Sequence, residues 1–183
     1  SQIALERRLD TIADNVANAS TIGFRATGVK FEDVVSGTGP KSVSFASSGK
    51  TYLSTAHGSM TETGNPFDFA IQGDAWFGIE TPGGTVMTRD GRFTMLDTGD
   101  LVTLQGYPVL DAGGAPIQLD PQNGPPTSGA DGSLRQQGQL VGTLGLYNFD
   151  PGENFVRYAN SGIVPMGAPE PVVHPLPEAL VLV

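Results

Sequence analysis

Glycine and proline interrupt this chain throughout, and that constrains its fold more than any other feature. There are 25 glycines and 14 prolines among 183 residues. Such punctuation rules out a mostly helical protein and suits short strands joined by tight turns. The turn sequences are explicit: "DTGD" (97–100), "DAGG" (111–114), "GADG" (129–132) and "DPGE" (150–153). Between them lie strand patterns. Phe67, Phe69 and Ile71 alternate with Asp68, Ala70 and Gln72, the period of a half-buried strand. "AWFGIE", "LVTLQGYPVLD", "APIQL", "LVGTLGLYNF" and "FVRYA" supply the others. The expected fold is mainly β: a sandwich-like or barrel-like body with tight hairpins, an N-terminal α-helix and extended arms.

The helix is the exception to the punctuation. In "SQIALERRLDTIADNVANA" (1–19), Leu5, Leu9, Ile12 and Val16 are spaced four, three and four, the seam of a coiled coil. Glu6, Arg7, Arg8, Asp10 and Asp14 lie off the seam. Two heptads admit two readings, an amphipathic helix packed on its own domain or a seam that waits for a partner helix. "NASTIGF" ends the helix, since Asn, Ser and Thr favour caps and turns and Gly23 can take positive φ. "FRATGVKFEDVV" then reads as extended.

The chain divides into four spans on this reading. Residues 1–35 form the helix and an extended segment. Residues 36–60, rich in Ser, Gly and Thr, form a linker or arm with a short strand near Val43–Phe45. Residues 61–170 form the β-rich body, and within it 120–138 reads as a long polar loop. Residues 171–183 form an extended return segment. Prolines 165, 169, 171, 175 and 177 keep the tail non-helical. No initiator Met is present, Ser1 lies inside the helical pattern and "EALVLV" carries no stop signal, so both ends are expected to continue in a longer protein.

Charge is concentrated in an unexpected place. The net charge is −9, which argues against broad nucleic-acid binding because a phosphate backbone needs clustered Lys and Arg. No apolar run approaches a membrane span of about 20 residues. Cysteine is absent, so disulfides, thiol catalysis and thiolate metal sites are removed. Yet "TPGGTVMTRDGRFTML" (81–96) places Arg89 and Arg92 around Asp90-Gly91, a strong two-residue hairpin signal. A type I′ turn there would put Val86, Thr88, Phe93 and Met95 on one, buried face. Arg89 and Arg92 would share the other with Met87 and Thr94. Like charges so placed destabilise a strand pair. The two arginines therefore either meet acidic groups on a neighbouring molecule, or stand solvated or paired with Glu80, Asp97 or Asp100.

Motifs for catalysis or cofactors fail on spacing. "SSGKT" (47–51) lacks the earlier glycine of a phosphate loop, since position 44 is serine. "GTGPKS" (37–42) lacks the third glycine of a dinucleotide fingerprint. His57 and His174 are far apart and outside any ligand-spaced cluster. Asp97 and Asp100 lie in a turn, and Ser59 has no flanking glycines of a nucleophile elbow. No catalytic, cofactor or metal residue is nominated.

Two stretches carry a resemblance. "ALERRLDTIADNVANASTIGFRA" (4–26) resembles the N-terminal signature of the bacterial flagellar rod and hook family. "TGNPFDFAIQGDAWFGIETPGGTVMTRDGRF" (63–93) is similar to that family's second signature, and "GDLVTLQGYPVLDAGGAPIQL" (99–119) continues it. "ALERRLD" and "QGDAWF" look most like the proximal-rod members. Ala75 stands where the family commonly has glycine, Met87 where an aromatic is usual, and the C-terminal signature is expected beyond Val183.

The resemblance implies a structural, non-enzymatic subunit without cofactors. It would be exported through the flagellum's own channel without a cleaved signal and stacked helically in the rod that crosses the periplasm. Its partners would be copies of itself, other rod subunits and the export apparatus. Leu5, Leu9, Ile12, Val16, Arg89 and Arg92 are then the candidate subunit-interface residues. Alternatives are another axial subunit, distal rod or hook, and a carbohydrate-binding β module built on Trp76, Tyr107 and Tyr147. A hydrolase would need convergent polar groups that the sequence does not advertise.

Overall fold

A computed structural model describes residues 2–31, 33–36, 43–46, 49–152, 155–159, 161–172 and 180–182. The "GTGPKS" segment, His174, Pro175 and Pro177 lie outside the described residues. The chain opens with helix α1 (Gln2–Ala17). Four short strands follow: β1 (Thr27–Lys30), β2 (Asp33–Ser36), β3 (Val43–Ala46) and β4 (Lys50–Leu53). They form two antiparallel ribbons, β1 with β4 and β2 with β3. Within 36–60, the described residues include a strand over the expected Val43–Phe45 and a second, β4, after it.

The body begins with β5 (Phe69–Ile71), β6 (Trp76–Thr81), β7 (Gly84–Thr88), β8 (Phe93–Met95) and β9 (Leu101–Thr103). The expected 120–138 loop holds a 3-10 turn (Pro121–Asn123) and strands β10 (Thr127–Ser128) and β11 (Ser133–Gln136). Asp120 caps that turn by accepting from the Gln122 amide, and the buried Gln136 amide donates to the carbonyls of Asp120 and Gly124. Local side-chain bonds thus order the start of this span, and fully buried Leu134 of β11 anchors it in the core. β12 (Gln139–Thr143), β13 (Leu146–Asn148), β14 (Val156–Tyr158), β15 (Gly162–Val164), β16 (Glu170–Pro171) and β17 (Leu180–Leu182) complete the order.

The principal sheet runs β14-β15-β7-β6-β13-β16. β6 and β7 are its centre, buried on both faces. On one side Phe77, fully buried, meets Phe93 edge-on at 5.2 Å between centroids, amid Phe69, Leu101, Val109 and Leu144. On the other, Trp76, Met87, Tyr147 and Ile163 pack together, and Leu53 of β4 and Phe155 lean on them. Leu53 thus ties the N-terminal ribbon to the body. Aromatic pairs of this geometry add to the burial that dominates such cores.

The hairpin lies elsewhere than the sequence predicts. β6 and β7 pair with each other across Pro82-Gly83, with Thr81 opposite Gly84. β8 pairs with β9 instead of β7. Residues 89–92 carry the chain from one sheet to the other, so Arg89 and Arg92 are not cross-strand partners. Met87, assigned to the outer face, is fully buried because β7 has packing on both sides.

Gly91 shows why. It does not take the positive φ that a type I′ turn demands. Its backbone instead lies against β5: the Phe69 amide donates to the Gly91 carbonyl at 2.9 Å, and the Phe93 amide to the Phe67 carbonyl at 3.1 Å. A Cβ on Gly91 would stand 1.8 Å from the Phe69 carbonyl oxygen. The glycine serves a close backbone approach, not a turn.

The other strand of this crossing is prepared by "TGNPFD". Asp68, buried, accepts from the Thr63 hydroxyl at 2.7 Å and the Asn65 amide at 3.0 Å, while Asn65 Oδ1 accepts from the Phe67 amide at 3.2 Å. The chain is thereby bent and stiffened just where it meets 91–93.

This geometry separates two glycines that the sequence alone treats alike. Gly91→Ala is expected to cost at least about 2 kcal/mol in urea unfolding followed by Trp76 fluorescence, because backbone must move. Gly83→Ala, whose Cβ meets nothing nearer than the Thr81 hydroxyl at 3.8 Å, is expected to stay within about 0.5 kcal/mol.

Candidate functional site

α1 buries none of its residues. Leu5 is 59% exposed, Leu9 57%, Ile12 49% and Val16 70%, so the whole apolar seam faces outward. The reading in which this face packs on its own domain is therefore corrected. Ala4, Thr11, Asn15 and Asn18 are the half-buried positions. At about 100° per residue they lie about 120° around the helix from the seam. The helix rests on its body by a mainly polar face.

Polar groups make that contact. The Asn15 side chain pairs with both backbone groups of Thr27: its Nδ2 donates to the Thr27 carbonyl at 2.8 Å and its Oδ1 accepts from the Thr27 amide at 2.9 Å. Arg7 Nη1 donates to the Gly49 carbonyl at 3.3 Å. The helix ends where Asn18 Nδ2 returns to the Asp14 carbonyl, and Gly23 turns at φ 73° against the backbone of Asp90. A Cβ at Gly23 would lie 2.3 Å from the Asp90 amide nitrogen, which joins the N-terminal segment to the 89–92 crossing.

Three arginines lie around this junction, and Arg157 bonds the N-terminal segment to the body. Arg89 Nη1 donates to the carbonyls of Gly73, at 2.7 Å, and Ala75, and Nη2 to that of Ile71 at 2.8 Å. Arg25 Nη1 donates to the Ala56 carbonyl at 2.8 Å, and its Nη2 lies 3.5 Å from His57 Nδ1. Arg157 Nη2 donates to the Arg25 carbonyl at 2.6 Å and the Thr27 hydroxyl at 2.7 Å, with its guanidinium over Phe24 at 4.5 Å. All three bind backbone carbonyls, where a fork of donors satisfies several acceptors at once. Burial pushes the Arg89 guanidinium down to about 10, helped by the charge of Arg25 and opposed by Asp74. Burial lowers Arg25 and Arg157 as well.

Arg92 is different. Its Nε and Nη2 fork onto the two oxygens of Asp90 at 3.0 and 2.8 Å, and this hydrogen bonding raises its pKa. The acid that partners it is Asp90, two residues before it and none of the three named from the sequence. The two tip cations are thus separated in role: Arg89 is turned onto the carbonyls of residues 71–75, and Arg92 is half-exposed and paired.

Other candidates resolve simply. Trp76 and Tyr147 are core residues, 6% and 5% exposed, and Tyr107 is bonded to Tyr158 through their hydroxyls at 3.1 Å. These three form no aromatic platform for a glycan. His57 Nε2 lies 3.8 Å from Asp74, with both side chains well exposed. Among the described residues no helix is long and apolar enough to cross a membrane. Sequence reasoning missed Asn15, Arg25 and Arg157, which look like ordinary surface residues until their carbonyl partners, up to 132 positions away, are known.

Comparison with known proteins matches these features to a family. The family model described as "Flagella basal body rod protein" matches residues 2–25, and that described as "Flagellar hook protein FlgE/F/G D1 domain" matches 70–141. The flagellar basal-body rod protein FlgF of Mesorhizobium japonicum is 81% identical over 94% of this chain and 71% of its own length. This chain belongs to the FlgF family of flagellar basal-body rod proteins. FlgF of Rhizobium meliloti is 57% identical over 94% of the chain and 72% of its own. The rod protein FlgG of Bacillus subtilis, at 34% over 86% of the chain and 70% of its own, is more distant. In this FlgF-family chain, the first matched region is α1 and its turn, and the second includes the centre of the body.

The arginine assignments predict unequal substitutions. Arg89→Ala strips donors from three carbonyls, and a loss of about 2–4 kcal/mol is expected in urea unfolding, little changed by 0.5 M salt. Arg92→Ala removes a half-exposed pair, and less than about 1 kcal/mol is expected.

Proposed function

We propose that this chain is a non-enzymatic structural subunit of the proximal part of the flagellar rod, and that it polymerises with copies of itself and other axial subunits into a torque-transmitting shaft. The observation that carries this reading is the outward seam of α1. Four exposed apolar side chains in heptad spacing have lost nothing by leaving their own domain, and each gains about 1.5–3 kcal/mol when buried against a partner helix. Leu5, Leu9, Ile12 and Val16 are the inner contacts on this reading, and half-exposed Arg92 is a candidate for the outer surface. Arg89 acts within the subunit, on the carbonyls of residues 71–75. The spans 1–35, 36–60, 61–170 and 171–183 then serve as inner helix, arm, stiff outer body and return segment.

Export without a cleaved signal through the flagellar channel, and residence in the periplasm, belong to the same proposal. A cysteine-free chain suits such passage, because no disulfide can trap it in a folded state. FlgF relatives of high identity favour the proximal rod over the distal rod or hook.

The test uses the complete protein in a flagellated host lacking its own copy. An epitope tag is placed between Gln137 and Gly138, an exposed hairpin tip of the body. Immuno-electron microscopy of isolated basal bodies is expected to label the rod near the inner-membrane end, with motility restored. Label on the distal rod or hook would move the subunit within the axial structure, and unlabelled but complete basal bodies would overturn the proposal. In the same host, Leu9→Asp with Ile12→Asp is expected to reduce swimming in soft agar at least tenfold, with Trp76 emission of the purified protein unchanged.

A further inference from the structure

The helix that carries the seam is held in an unusual way. No residue of α1 is buried, and an open groove of about 560 Å³ separates it from the body, lined by Asp10, Asp14, Thr27, Thr51, Phe155 and Arg157. Among the described residues, interdigitated apolar side chains, which ordinarily fix the direction of a helix, are missing at this contact. What remains are directional polar bonds. The strongest by geometry is the reciprocal pair between Asn15 and Thr27, two bonds of 2.8 and 2.9 Å to one residue. A two-point attachment fixes orientation as well as distance, which a single bond does not.

Thr27 is itself immobilised. It is the first residue of β1, opposite Leu53, whose side chain packs on the Trp76 cluster. Its hydroxyl accepts from Arg157 Nη2 at 2.7 Å, and the same nitrogen reaches the Arg25 carbonyl at 2.6 Å. Arg157 sits in β14, the edge of the principal sheet. A continuous set of bonds thus runs from the sheet edge through Arg157 and Thr27 to Asn15. The Arg157 cation is also attracted by Asp14, the residue that precedes Asn15 on the helix.

We infer that the Asn15–Thr27 clamp is the joint that sets the direction in which α1 leaves the body, so that Asn15 positions the seam without belonging to it. The two roles fall on different faces of the same turns. Ile12 and Val16, three residues before Asn15 and one after it, face outward, whereas Asn15 reaches a β-strand backbone with both its donor and its acceptor. The joint's value to assembly rests on the rod-subunit reading. Its existence does not, because it is a property of the isolated chain. A polar joint also suits a helix that must keep its apolar face free, since an apolar one would compete for the same side chains.

The absence of cysteine makes the test clean. Two cysteines are introduced at exposed positions, Arg8→Cys on α1 and Asp97→Cys on the body, and both are spin-labelled. Double electron–electron resonance on the purified chain is expected to give one narrow distance distribution. With Asn15→Ala added, the distribution is expected to broaden at least about twofold, while Trp76 emission and helical circular dichroism at 222 nm are retained. Asn15→Asp keeps the acceptor for the Thr27 amide but sets a carboxylate against the Thr27 carbonyl, and an intermediate width is expected. Equal widths with and without Asn15 would overturn the inference, as would loss of the helical signal, which would make the clamp a contact that forms the helix instead of aiming it. A broadened distribution in a chain whose tagged form never enters basal bodies would sustain the joint and remove the rod-subunit reading.

Discussion

Everything in the body depends on one close backbone approach, that of Gly91 to Phe69. Here the chain leaves the principal sheet and enters the β8–β9 pair, and the two segments 67–69 and 91–93 exchange amide-to-carbonyl bonds. A Cβ at 91 would overlap the Phe69 carbonyl oxygen, so the crossing requires glycine regardless of φ. Around it the structure is over-determined. Asp68 is held by Thr63 and Asn65, Asp90 by Thr88 and Arg92, and Phe69, Phe77 and Phe93 stack beneath. "TGNPFD" (63–68) and "TRDGRF" (88–93) are separated in the chain but form the two halves of one crossing.

The same crossing receives the N-terminal segment. Gly23 turns against Asp90, and Arg89 reaches from the crossing to three carbonyls of residues 71–75. Arginine is used at this junction in place of apolar packing. A partly buried cation costs desolvation, the cause that lowers the Arg89 pKa, and each guanidinium offsets this by donating to backbone carbonyls. The bonds are directional, so the junction fixes an angle as well as a contact.

That division of labour distinguishes a polymer subunit from a self-contained domain. The body buries Phe69, Trp76, Phe77, Phe93 and Tyr147, whereas α1 exposes Leu5, Leu9, Ile12 and Val16. A helix of 16 residues is marginal alone in water, and on the proposed function its stability in an assembly would come from the face it buries there. Membership of the FlgF family of rod proteins is the context in which the proposed partner of such a face would be found.

Much was legible in the sequence because it depends on neighbours along the chain. The four-three-four spacing determined the helix and its seam, and glycine and proline density determined a β-rich body. The turns at "DTGD", "DAGG" and "GADG" form as written, through bonds such as Gly99 to Leu96 and Gly114 to Asp111. Asp90-Gly91 was misread as a turn for the opposite reason: glycine serves both positive φ and close approach, and only the position of Phe69 distinguishes them. Likewise the chain alone states that Arg89 and Arg92 flank an aspartate. Only tertiary structure decides that one turns onto the carbonyls of residues 71–75 and the other pairs at the surface, because the acceptors that draw Arg89 inward are backbone carbonyls, which every residue carries and no sequence pattern marks.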